Sequence, residues 1–113
     1  MSVEEYEQLM SDYGFSVVMD SLATPNMYYI ALYGDTETWH NAFAVYDIDD
    51  GEVTIYTKLY FEKSQGICII KDKKLETKDI NELRPVVKDI AEQYKNLLIV
   101  QKKEEIKKDF ENE

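Results

Sequence analysis

No lysine or arginine stands before Lys58 in this chain of 113 residues. Residues 1–57 hold eleven acids (Glu4, Glu5, Glu7, Asp12, Asp20, Asp35, Glu37, Asp47, Asp49, Asp50 and Glu52) and no base, a charge of −11, against 12 acids and 13 bases in the remainder. The total of −10 is therefore segregated. A half without cations has nothing to neutralise phosphate, so direct binding of nucleic acid or of an anionic membrane by that half is not expected.

Other scarcities narrow the field. The single cysteine, Cys68, can form neither an internal disulfide nor a cysteine-based metal site, which fits a reducing cytoplasm. The opening Met1-Ser2-Val3-Glu4-Glu5 has no basic n-region or apolar h-region, so a secretory signal is not expected. Apolar runs such as Leu97-Leu98-Ile99-Val100 fall far short of the roughly 20 residues of a membrane span. The four glycines form no phosphate loop, Arg84 is the only arginine and His40 the only histidine. His40 near Asp35 or Glu37 could act as a base, but nothing marks Thr36, Thr38 or Cys68 as an activated nucleophile. The expectation is a protein without catalytic, metal or cofactor sites.

At 44% apolar and 12% aromatic the chain can fill one modest core, a single domain over 1–113. Ser2 with Glu5 reads as a capping box, and Val3, Tyr6, Met10 and Tyr13 follow at helical spacing before Gly14. Segments rich in β-branched and aromatic residues come next: Phe15 to Asp20, Met27 to Tyr33, Thr38 to Ile48, Glu52 to Glu62 and Gly66 to Lys71. Short turns between them (Ala23-Thr24-Pro25-Asn26, Gly34-Asp35-Thr36-Glu37, Asp49-Asp50-Gly51 and Ser64-Gln65-Gly66) favour an antiparallel meander. Asp79 reads as an N-cap with Glu82 at the third helical position. Ile80, Leu83, Val87, Ile90, Tyr94 and Leu97 then make one apolar stripe. Pro85 either kinks that helix or begins it after a separate turn. Residues 101–113 form a charged helical tail with Ile106 and Phe110 as its apolar members.

The fold expected is α+β: a short N-terminal helix, a four- to five-stranded antiparallel sheet, and a long C-terminal helix on one face. Along Glu52 to Glu62, alternation sends Val53, Ile55, Leu59 and Phe61 inward and Tyr56 and Tyr60 outward. Counting the same way, Phe43 and Val45 face the core, and Tyr46 lies outside beside Tyr56 and Tyr60.

Asp47-Ile48-Asp49-Asp50-Gly51 invites a calcium reading, but its glycine falls one residue early for an EF-hand, and Lys58 stands where the closing glutamate belongs. A hairpin turn, with Asp bracing the bend and Gly51 at positive φ, explains the run. Cys68 lies in the apolar stretch Gly66-Ile67-Cys68-Ile69-Ile70, where a buried, inert thiol is expected.

What remains is acid interleaved with aromatic rings. Asp35, Glu37, Asp47, Asp49, Asp50 and Glu52 would steer a basic partner, and Trp39, Tyr46, Tyr56 and Tyr60 would anchor it. Equally, tyrosine favours strands and the acids form a solubilising rim. In its length, lysine-free acidic half and tyrosine-rich strands with carboxylates at hairpin tips, the chain resembles small acidic proteins of phages and mobile elements, the anti-CRISPR and DNA-mimic inhibitors. That resemblance implies carboxylates standing in for phosphates in the basic channel of a nucleic-acid-binding protein such as a phage-targeting host nuclease. The alternative is a small acidic chaperone or adaptor subunit binding a partner peptide, dimeric through the C-terminal helix.

Overall fold

The computed structural model describes residues 1–20, 28–34 and 41–111. Helix α1 (Val3–Asp12) is followed by strands β1 (Ser16–Asp20), β2 (Tyr28–Leu32), β3 (Ala42–Asp47), β4 (Glu52–Tyr56), β5 (Leu59–Glu62), β6 (Gly66–Ile69) and β7 (Lys74–Thr77), and by helix α2 (Ile80–Glu111). Five strands form an antiparallel sheet in the order β1-β2-β3-β4-β7, and β5 and β6 form a separate hairpin. The fold is the expected α+β arrangement, a short helix, a five-stranded antiparallel sheet and a long helix packed against it.

Local chemistry starts each helix where the sequence marks it. At α1, the Glu5 amide donates to Ser2 Oγ at 3.2 Å and the Ser2 amide donates to Glu5 Oε1 at 3.0 Å, a complete capping box. Gly14, at φ +82°, follows the end of the helix in a conformation that side chains resist. At α2, the Asn81 amide donates to Asp79 Oδ1 at 2.9 Å, and the Thr77 hydroxyl donates to Glu82 Oε2 at 3.1 Å. Pro85 lies inside α2 rather than at its start. Its side chain is exposed, so the helical hydrogen bond its missing N–H forgoes lies on the wet side of the helix.

One face of the sheet carries the core. Register aligns Tyr29, Tyr46, Val53 and Thr77 in one row across β2, β3, β4 and β7, and Ala31, Ala44, Ile55 and Leu75 in the next. Against these rows pack Tyr6, Leu9 and Met10 of α1, Leu83, Val87 and Ile90 of α2, and Leu59 and Ile67 of the β5–β6 hairpin. Ile80, Tyr94 and Leu97 extend the α2 stripe, partly buried, as its three- and four-residue spacing requires. Cys68 is buried, as expected. Among the described residues every buried side-chain nitrogen and oxygen has a hydrogen-bond partner, so the core stores no unpaired polar group.

The third strand departs from the reading by alternation. Leu32 pairs with Ala42 and Ala31 with Ala44, which leaves Phe43 as an extra residue, a β-bulge. The bulge shifts the phase by one residue. Phe43, Ala44 and Tyr46 are all buried, and Val45 takes the other face. Tyr46 is therefore a core residue, 4% exposed, and not the outer-face neighbour of Tyr56 and Tyr60.

The long segment from Glu52 to Glu62 is also two strands rather than one. The chain leaves the large sheet at Thr57 and Lys58, so Tyr56 and Tyr60 belong to different sheets. Gln93 of α2 spans the break: the Leu59 amide donates to its Oε1 at 2.9 Å, and its Nε2 donates to the Thr57 carbonyl at 2.9 Å. One side chain thus replaces two missing ladder bonds in a part-buried place. Truncating Gln93→Ala should cost about 1–3 kcal/mol in urea unfolding, because both backbone groups lose their partner at once. A change below about 0.5 kcal/mol, the range of an inert surface site, would show that water serves the break equally well.

Strand β7 went unread in the sequence because Lys74-Leu75-Glu76-Thr77 has only one apolar residue. It closes the sheet edge beside β4, turning Leu75 and Thr77 toward the core and Lys74 and Glu76 outward. Charges along an exposed edge discourage pairing with other chains.

Candidate functional site

The β3–β4 hairpin is the only expected acidic cluster that falls wholly within the described residues; Asp35, Glu37, Trp39 and the candidate base His40 lie outside them. Its turn is built by its own carboxylates. The Asp49 amide donates to Asp47 Oδ1 at 3.0 Å, the Glu52 amide donates to Asp50 Oδ1 at 3.0 Å, and the Gly51 amide closes onto the Asp47 carbonyl at 2.9 Å. Gly51 has φ +69°, which the sharp bend requires. Asp49 and Asp50 are exposed at the tip, while Asp47 and Glu52 are half-buried at its base. Among the described residues no group of three or more His, Cys, Asp or Glu is arranged to hold a metal ion.

Folding adds to this hairpin what the linear order conceals. Tyr46, stacked on Tyr6 of α1 with ring centroids 5.3 Å apart, donates its hydroxyl to the Met1 carbonyl at 2.9 Å. Tyr6 in turn donates to the Tyr29 carbonyl at 3.1 Å. These contacts pin the start of α1 beside the hairpin, so closely that a Cβ on Gly51 would stand 3.2 Å from the Met1 carbonyl oxygen. The first-turn acids Glu4 and Glu5 join Asp50 around the buried phenol. Burial, then the negative charges of Glu4, Asp50 and Glu5, raise the Tyr46 pKa above its usual value. Glu5 shifts the other way from Tyr46. Hydrogen bonds from Ser2 hold its carboxyl below the ordinary value, and Arg84 contributes a smaller attraction.

Strand register supplies one aromatic that the reading by alternation missed. Tyr28, half-buried, pairs with Asp47, which pairs with Glu52, so a tyrosine and two carboxylates run side by side across three strands. In the sequence Tyr28 is one of the aromatics interleaved with these acids, and only the register between β2 and β3 sets it beside Asp47. Of the expected anchors, Tyr56 is half-buried at the far end of β4 opposite Lys74, and Tyr60, 40% exposed, stands opposite Cys68 in the small hairpin. Neither joins the acidic tip. What the fold assembles is an acidic end of the molecule made of Glu4, Glu5, Asp47, Asp49, Asp50 and Glu52, with Tyr28 beside it and Tyr46 as its internal post.

Compared with protein-family models, curated proteins and solved structures, the chain matches none of them. Among the described residues no helix is long and apolar enough to cross a membrane.

Proposed function

We propose that the protein is a non-catalytic binding protein whose acidic end engages a basic surface on a nucleic-acid-binding partner, its carboxylates taking the place of phosphates. The observation that supports this reading most directly is the meeting of the α1 first turn with the β3–β4 hairpin around Tyr46. Two segments more than forty residues apart contribute acids to one end. Like charges brought together repel, a cost that the Met1 ammonium and Arg84 beside Glu5 offset in part and that a cationic partner would relieve further. The second half, with its lysines, lets at most one face act in this way.

Changing Asp47, Asp49 and Asp50 together to Asn tests the reading, since Asn keeps the acceptor oxygens that brace the turn and removes three charges. Pull-downs from host lysate at two salt concentrations, read by mass spectrometry, should show wild type enriching nucleic-acid-binding proteins that added DNA displaces. The triple variant should lose at least about tenfold of that capture, with a flatter salt dependence. Unchanged capture and an unchanged salt slope would sink the proposal.

One observation favours the second reading, that of a dimeric adaptor. Ile106 and Phe110 of α2 stand 56% and 73% exposed, far from the acidic end in sequence.

A further inference from the structure

Helix α2 has two apolar stripes. The first, Leu83, Val87 and Ile90, faces the core. The second is Ile99, Ile106 and Phe110, which are 50%, 56% and 73% exposed. At 3.6 residues per turn these three side chains lie within about 40° of arc, and Ile99 points about 180° away from Ile90. The inner side of this half of the helix is held by the β5–β6 hairpin, where Lys63 Nζ lies 3.8 Å from Glu104 Oε2. No buried residue among those described covers the outer stripe, which stays exposed. Large apolar side chains repeating at seven and four residues on a wet helix face are the pattern of a helix-pairing seam.

We infer that the occupant of this seam is a second copy of the chain, with the two helices antiparallel. Charge decides both the partner and the direction. Two copies meeting through their acidic halves would repel, whereas the segment from Lys95 to Glu111 carries five lysines against four acids and is near neutral. With Ile99 and Ile106 at d positions and Lys103 and Phe110 at a positions, the flanking g positions are Lys102 and Asp109, and an e position is Lys107. Parallel pairing sets Lys102 against Lys107 of the other copy, a repulsion. Antiparallel pairing sets Lys102 against Asp109 twice, by symmetry, and seats each Phe110 on the opposite Ile99. Lys103, the one polar residue within the seam, lays its aliphatic stem along the apolar surface and sends its ammonium to water. A seam of about three turns buries less than an obligate interface, so the dimer is a weak one, with a Kd of about tens of micromolar.

Sedimentation equilibrium of the purified full chain tests this, with circular dichroism to confirm folding. Wild type should pass from monomer to dimer over the micromolar range, and I106E or F110E should remain monomeric with an unchanged helical spectrum. The single charge changes K102E and D109K should each weaken the dimer about three- to tenfold, and the double change K102E/D109K should return it to within about twofold of wild type. A wild-type monomer at about ten times the expected Kd overturns the inference. So does a dimer indifferent to I106E, and so does one that K102E strengthens, which is the signature of parallel pairing. The Asn variants of the acidic hairpin should dimerise like wild type, so this inference and the inhibitor proposal fail independently.

Discussion

Replacing Phe43 with Ala should cost about 3–5 kcal/mol in chemical unfolding, a large share of the roughly 5–15 kcal/mol that holds a domain of this size together. Phe43 is fully buried, set edge-on to Phe15 at 4.6 Å between ring centroids and tilted toward Tyr33 at 6.3 Å. It occupies the extra position of the β-bulge, so the cavity left by truncation opens where β3 bends. The same bulge gives the prediction its discriminating companion. Val45, half-buried on the other face, should cost only about 1 kcal/mol as V45A, whereas Y46A should approach the Phe43 value because it removes a buried ring stacked on Tyr6. If Val45 proved the more costly of the two, β3 would follow unbroken alternation, and the bulge would be wrong.

Stability should also collapse at alkaline pH, by a mechanism localised to buried phenols. Burial, with Cys68, Tyr94 and Tyr60 as smaller contributors, pushes Tyr33 up to about 12, and burial raises Tyr6 further. Both pKa values lie above the ordinary 10.0, so the folded state prefers the protonated form. Their contribution is therefore whole below about pH 10, where the unfolded chain also keeps its protons. It is lost as pH rises from there through about 12 for Tyr33. Within that window each such phenol lowers the unfolding free energy by about 1.4 kcal/mol per pH unit, so the two together lower it by about 2.7. Tyr33 donates its hydroxyl to the Ile67 carbonyl at 2.6 Å, a bond that ties the β5–β6 hairpin to the main sheet and that a phenolate cannot make. Urea midpoints measured at steps above pH 10, alongside phenolate absorbance, should show these tyrosines ionising only as the protein unfolds. A midpoint that stays level to about pH 11 while all nine phenols titrate in the folded state would remove the burial argument.

Where the chain itself carries the signal within a few residues, the fold was legible. Ser2 with Glu5, and Asp79 with the Asn81 amide, mark helix starts because the cap and its donor lie within one turn. The hairpin over Asp47 to Gly51 was readable as a turn because its carboxylates brace their own backbone. The site was legible only in part. Asp47, Asp49, Asp50 and Glu52 stand together as their order requires, but Tyr56 and Tyr60 part company where Gln93 interrupts the strand, and Gln93 is more than thirty residues away. The charge that joins the hairpin, Glu4 and Glu5, arrives through Tyr46, a residue that alternation placed on the wrong side.

The sequence by itself determined the segregation of charge, the succession of a short helix, strand-forming segments and a long helix, and the stripe by which α2 covers the sheet. These follow from composition and from periodicities of two and 3.6 residues, which act between near neighbours. Only the tertiary structure decided which face of β3 is buried, that β7 completes the sheet, and that the start of α1 shares an end with the β3–β4 hairpin. The physical reason is common to all three. An extra residue in one strand has meaning only against the strand beside it, and a polar edge strand is recruited by the neighbour it completes. A buried tyrosine joins distant backbone because the core, rather than the chain, sets who lies next to whom.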